Sequence, residues 1–195
     1  TEKGFARLAK DETASIKLMH KDIALSFIED LKIFDDKNKD RRFVSAEEEI
    51  VYKKNINARE ISFGGRIDRI DEKNKRLILY DYKTGVTEEE FKGIEGLFDG
   101  SKKDRAKYLF QIMFYAWLLW EGQDINVEIM YVHSLKSKNY ENKIYTYTAE
   151  IHKEFDECMK KLVKSLFDTD STNVWEPQPK ENICKYCDYQ TLCPN

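Results

Sequence analysis

No apolar stretch of this 195-residue sequence is long enough to cross a bilayer. The longest, "LFQIMFYAWLLW" at 109–120, falls well short of the roughly 20 residues a spanning helix needs. The chain also lacks an excess of positive charge. Its formal net charge of −3 argues against a protein that coats nucleic acid by charge alone, because such binding scales with the phosphates neutralised. Local basic patches remain, "KNKDRR" at 37–42 and "SKKDRAK" at 101–107, though such runs ordinarily form solvated loops and helix faces. Residues 1–20 lack the charged, apolar and small-residue zones of a signal peptide, and the first residue is Thr1 rather than Met. The expectation is a piece of a longer, cytoplasmic polypeptide with no membrane segment. There is no internal repeat or low-complexity segment, and no cysteine before Cys158. Three of the four cysteines, Cys184, Cys187 and Cys193, crowd the end, a placement that fits a metal or cluster site in a reducing compartment better than a disulfide framework.

What is present is enough for one substantial core: 41% of residues are apolar, and the length is too short for two comfortable domains. From Ile16 to Leu31, apolar residues recur at helical spacing through Met19, Ile23 and Phe27, with His20 on the edge of that face. A polar loop at 35–42 leads to a strand, "RFVSAEEEIVY", whose inward row reads Val44, Ala46, Glu48, Ile50 and Tyr52, with Glu48 interrupting it. "REISFGGRIDRID" at 59–71 and "RLILYDYK" from 76 form a hairpin, and the near-continuous apolar run of the second strand predicts a central strand covered on both faces. Residues 86–103 resist assignment. A helix over about 104–121 ends at Gly122, followed by strands "INVEIMYVHSL" and "KIYTYTAEI", the helix "HKEFDECMKKLVKSLF" and a tail punctuated by proline. The order α, β, β, β, α, β, β, α predicts an α/β domain with a mixed sheet flanked by helices.

An acid followed two positions later by a lysine occurs six times in the chain, so Asp81-Tyr82-Lys83 is distinguished only by its setting. Side chains at i and i+2 of a strand share a face about 7 Å apart, which aims Asp81 and Lys83 the same way at the end of a buried strand. The hairpin carries Asp68 alongside. Two carboxylates and a lysine so gathered suit metal-assisted phosphodiester hydrolysis: carboxylate oxygens hold Mg²⁺ or Mn²⁺, and an ammonium orients the nucleophile or stabilises developing charge. A plainer arrangement uses the same residues as strand-end salt bridges, Asp81 with Lys83 and Asp68 with Arg66 or Arg69.

Four motifs in series, "GGRIDRID", "LILYDYKTG", "QIMFYAWLL" and "CKYCDYQTLC", resemble the RecB-type branch of the PD-(D/E)xK nuclease superfamily, from about His20 to Cys193. This branch includes the nuclease domains of helicase-nucleases and the CRISPR-associated iron-sulfur exonucleases. The resemblance implies a restriction-endonuclease-like core over 1–174 with a cysteine-bearing tail at 175–195 packed on the same domain. It implies Asp68 and Asp81 as metal ligands, Lys83 as the catalytic lysine, Gln111 and Tyr115 as the "Q-x-x-x-Y" helix beside the site, and His20 as a further ligand. The family's glutamate in the strand before "G-x-x-D" falls on either Glu47 or Glu48. The implied activity is Mg²⁺- or Mn²⁺-dependent DNA hydrolysis by an exonuclease of DNA repair or recombination, with DNA and a helicase as partners.

The tail departs from the pattern. The family's iron-sulfur members add a fourth cysteine upstream of the first helix, and this chain has none there. Cys184, Cys187 and Cys193 therefore leave three options: a [4Fe–4S] cluster whose fourth ligand precedes Thr1, ligation completed by Cys158, or a zinc site or bare remnant. The spacing of Cys158 with Phe155 and Leu162 reads more simply as a core position. Two other functions stay open, a catalytically silent nuclease fold that binds DNA ends or braces a helicase, and a regulatory iron-sulfur or zinc module.

Overall fold

Ile78, Leu79, Tyr80 and Asp81 are successive residues and all are buried, which requires cover on both sides of their strand. In the computed structural model, which describes residues 14–84, 91–99, 106–132 and 141–167 together with Cys184 and Cys187, that strand is the middle of a five-stranded sheet. The elements are α1 (Ala14–Lys37), β1 (Arg42–Ile56), β2 (Arg59–Lys73), β3 (Arg76–Thr84), α2 (Ile94–Phe98), α3 (Lys107–Leu119), β4 (Ile125–Val132), β5 (Glu141–Tyr147) and α4 (Ala149–Phe167), and the strands lie in sequence order. β1, β2 and β3 form an antiparallel meander. β4 then lies parallel to β3, a step that demands a crossover, and α2 and α3 lie within it. β5 returns antiparallel to β4.

Both meander turns are two-residue connections, Asn57-Ala58 and Asn74-Lys75, with all four residues at positive φ between 52° and 65°. Paired positive φ matches the right-handed twist of the strands that such turns join, and asparagine tolerates that region best. The expected hairpin is therefore present.

Each face of the sheet has its own core. On one side Leu79, Ile67 and Ile70 meet Leu109, Ile112, Met113 and Trp117 of α3 and Phe155, Met159 and Val163 of α4. On the other, Ile78, Tyr80 and Met130 meet Phe34 of α1, with Leu31 and Tyr82 against them. Phe34 meets Tyr80 and Phe27 meets Tyr82 edge-to-face on that side, and Tyr80 and Tyr82 stack on each other. A mixed sheet between helical layers is the architecture expected of a restriction-endonuclease-like core.

Some expectations need correction. The inward row of β1 fails at most of its positions: Ile50 is buried, but Val44, Ala46, Glu48 and Tyr52 are exposed. β1 is an edge strand whose pattern carries no core on that stretch. The strand expected over "KIYTYTAEI" stops at Tyr147, because Thr148 caps α4, accepting from the Ile151 amide through Oγ1 at 3.4 Å. α1 runs on to Lys37 and shortens the loop predicted at 35–42. α3 ends at Leu119, and Gly122 at φ 87° supplies the left-handed reversal beyond it. No helix among the described residues is long and apolar enough to cross a membrane.

Candidate active site

The antiparallel register between β2 and β3 runs from Lys73 opposite Arg76 to Arg69 opposite Tyr80 and goes no further. Asp68 and Asp81 come next on their strands, at the point where the two part. There Asp68 Oδ2 accepts the backbone N–H of Tyr82 at 2.7 Å, so a side chain stands in for a carbonyl of the ladder. On the other side of β2, Ala46 lies opposite Arg69 and Glu48 opposite Ile67, which sets Glu47 across from Asp68. Glu47 has φ 54°, a left-handed conformation that costs a non-glycine residue roughly 1–2 kcal/mol. A further sign of distortion is that Ile67 and Ile70, three positions apart, both enter the α3-side core, which regular alternation forbids.

Asp81 and Lys83 share the α3-side face, as their spacing predicts. Lys83 Nζ lies 2.7 Å from the Asp81 carboxylate, and Asp81 is almost wholly buried while Lys83 keeps some solvent access. Lys83 also donates to Gln111 Oε1 at 3.4 Å, and Gln111 Nε2 donates to the Tyr115 hydroxyl at 3.2 Å. Gln111 and Tyr115 stand one helical turn apart on α3, so one face of that helix presents both to the strand ends. The chain of contacts runs Asp81, Lys83, Gln111, Tyr115.

Gly65 makes room for the last member. A Cβ at Gly65 would sit 2.6 Å from Tyr115 Cε1 and 2.9 Å from its hydroxyl, closer than a real side chain permits. A glycine inside a strand marks such a close approach, and that was the available sequence signal for the seating of α3 on β2. Tyr108 escaped the sequence reading altogether. Its ring centre is 4.7 Å from Lys83 Nζ, a cation–π contact on the same ammonium. It lies one turn before Ile112 on an otherwise apolar helix and carried no distinguishing pattern.

Asp68 does not pair with Arg66 or Arg69. Arg66 lies 2.7 Å from Glu49 and 3.6 Å from Glu47, whereas Arg69 bridges Asp71 at 2.8 Å and Asp35 at 2.7 Å. Burial disfavours the charged guanidinium of Arg69, but these two carboxylates outweigh it and hold its pKa above the ordinary value.

His20 falls on α1, and its side chain lies outside the described residues, as does all of Cys193. Among the described residues no three His, Cys, Asp or Glu side chains gather closely enough to hold an ion. The donor chemistry nevertheless suits Mg²⁺ or Mn²⁺: two hard carboxylates from adjacent strand ends match a cation that keeps several waters and takes one or two protein ligands. Of the tail, Cys187 N–H donates to the Cys184 carbonyl at 3.2 Å, a tight turn with both residues half-buried. Cys158 belongs to the α3-side core, and burial raises its thiol pKa, as expected of a packing residue.

No curated protein matches the chain. Among solved structures, the crystal structure of SSO0001 is similar, with a TM-score of 0.48 and 16% identity, over 93% of this chain and 71% of that one. The profile of the PD-(D/E)XK nuclease superfamily matches residues 2–194. With nearly its whole length matched, the chain belongs to the PD-(D/E)XK nuclease superfamily.

Proposed function

We propose that the chain is a metal-dependent DNA nuclease of the RecB-type branch, an exonuclease working with a helicase in DNA repair or recombination in the cytoplasm. The observation that carries the reading is the convergence at the end of β3, where Lys83 touches Asp81 and Gln111 while Asp68 faces the same gap from β2. Asp68 and Asp81, with His20, would hold the cation. Bound Mg²⁺ or Mn²⁺ would activate water and polarise the phosphate.

The chain's own residues do the rest. Lys83 orients the attacking water and, as a fixed cation, favours the charge that builds on the phosphate oxygens. Water oxygen bonds to phosphorus, one P–O ester bond breaks, and the leaving oxygen takes a proton. Gln111 holds Lys83 from the helix side, and Tyr115 holds Gln111. Residues 175–195 form a tail on the same domain. Cys184, Cys187 and Cys193 in that tail supply three thiolates of a cluster or zinc site, with any fourth ligand outside this chain.

The test is degradation of end-labelled linear and circular DNA, single- and double-stranded, with Mg²⁺, Mn²⁺ or chelator. Linear DNA should be degraded with either metal and be untouched with chelator. Lys83→Ala, Asp68→Asn and Asp81→Asn should each abolish degradation while circular dichroism stays unchanged. Unaltered activity in Lys83→Ala overturns the assignment.

A further inference from the structure

On α3, Lys107, Gln111 and Tyr115 follow one another at four-residue spacing, so all three lie along one stripe of the helix. Tyr115 is buried, Gln111 half-buried and Lys107 exposed, and the stripe runs from the floor of the site out to solvent. Tyr108 stands beside its outer end. The centre of that ring is 4.7 Å from Lys83 Nζ and 4.8 Å from Lys107 Nζ, so a single aromatic ring joins the inner ammonium to the outer one.

The two cations differ in what neutralises them. Lys83 has the Asp81 carboxylate at 2.7 Å. Among the described residues, no carboxylate lies within ion-pair distance of Lys107. The helix gains nothing from this charge, because Lys107 is the first residue of α3, where the positive end of the macrodipole repels a cation, and the first turn has no acid to offset it. Gathering two ammoniums at one ring adds their mutual repulsion. Lys107 thus carries a charge that its own surroundings oppose and that an anion arriving from solvent would neutralise.

A nucleic-acid strand is an anion of the right form. Two ammoniums this near to one ring centre are at most about 10 Å apart, and a strand carries one charge about every 3.4 Å of helix axis. A strand with one phosphate at Lys83 therefore brings another to Lys107. We infer that Lys107 binds a second phosphate of the DNA strand, roughly one to three nucleotides from the one cleaved, with the Tyr108 ring setting the spacing of its ammonium from that of Lys83. The inference rests on the reading of the end of β3 as the place of cleavage. The contact is to phosphate alone, so it holds the strand in register whatever its base sequence.

The experiment measures binding of a short end-labelled single-stranded oligonucleotide to the whole chain in chelator, over a series of salt concentrations. Wild type is compared with Lys107→Met and Lys107→Arg, with a denaturation curve for each. Methionine keeps the helix propensity of lysine at an exposed position, so the variant should fold. Losing one phosphate contact should lower the slope of log affinity against log salt by about 0.7, and Lys107→Arg should restore it. Binding is then repeated with oligonucleotides carrying one uncharged methylphosphonate at each linkage in turn. At one linkage the neutral group should weaken wild type and Lys107→Arg several-fold and leave Lys107→Met unaffected. Equal salt slopes for wild type and Lys107→Met, or equal losses at every linkage, overturn the inference. Mn²⁺ is finally added to the same mixtures. Wild type that binds through Lys107 and leaves the oligonucleotide intact contradicts the nuclease reading instead, and the two failures are told apart.

Discussion

The Lys83 ammonium and the Asp81 carboxylate lie 2.7 Å apart on one face of β3, so the lysine occupies a carboxylate that the proposed cation also needs. Two cations cannot both sit at hydrogen-bond distance from that group without repulsion. Removing Lys83 should then improve cation binding while destroying catalysis. Lys83→Met should bind Mn²⁺ several-fold more tightly than wild type by calorimetry and degrade linear DNA at least about 100-fold more slowly, the scale of losing one fixed electrostatic contact in a site. Weaker Mn²⁺ binding in Lys83→Met would mean that the pair is cooperative rather than competitive.

The seating of α3 on β2 depends on Gly65. Gly65→Ala places a methyl 2.6 Å from Tyr115 Cε1. Tyr115 is buried, so its ring has little room to yield, and overpacking of this kind costs about 1–3 kcal/mol. Any shift of α3 also carries Gln111 away from Lys83, so activity should fall by more than stability alone explains. Chemical denaturation of Gly65→Ala, Tyr115→Ala and the double variant checks it. The double variant should be more stable than the two single losses added together, because truncating Tyr115 removes the clash.

Much of this is legible in the sequence, and the reasons are local. The apolar run ending in Asp81-Tyr82-Lys83 fixes both burial and facing, since strand alternation leaves only one way to point the pair. The helix "QIMFYAWLL" carries its period plainly and brings Gln111 and Tyr115 to one face. What escaped was set by distortion and by distance in sequence. The inward row of β1 failed because the edge strand is exposed on both faces over Ala46–Glu49 and its register with β2 shifts between Phe43 and Ser45, and no residue type announces either. The ion-pair partners of Arg69 sit on α1 and β2, and the hydrogen-bond partners of Arg41 on β3 and β4, so no short-range spacing encodes either set. Sequence order also could not decide whether Asp68 meets an arginine or a backbone amide, because that depends on where the ladder stops.

Glu128 of β4 is buried, and Arg41 Nη1 reaches its Oε1 at 2.8 Å while also donating to the Tyr80 hydroxyl. Burial of the Arg41 guanidinium opposes its charge, yet Glu128 and Tyr80 raise its pKa above the ordinary value. Breaking a buried pair from one side leaves the other charge uncompensated and costs about 3–5 kcal/mol. Arg41→Met should therefore be strongly destabilising. Arg41→Met/Glu128→Gln should recover a large part, because a neutral amide costs far less to bury. Urea midpoints at fixed pH measure both, and equal loss in single and double variants would count against the pair.

His152 of α4 stacks on Trp120 with ring centres 5.0 Å apart, and its Nδ1 is 3.3 Å from the Tyr147 hydroxyl. Burial depresses its pKa below the ordinary 6.5; Lys54 and Lys160 push the same way and Asp156 opposes them. Folding thus favours the neutral imidazole. The stability this contributes is complete above the unfolded value near 6.5 and is lost as pH falls through the lower folded-state value. Asp156, whose pKa is held below 3.8 by Lys160 and Trp117 despite its burial, stays ionised across that window. The thermal midpoint of wild type should fall between pH 7.5 and pH 5.5, and His152→Gln, which cannot take up a proton, should show a flatter profile over the same range. A variant profile as steep as the wild type would place the titrating group elsewhere in the fold.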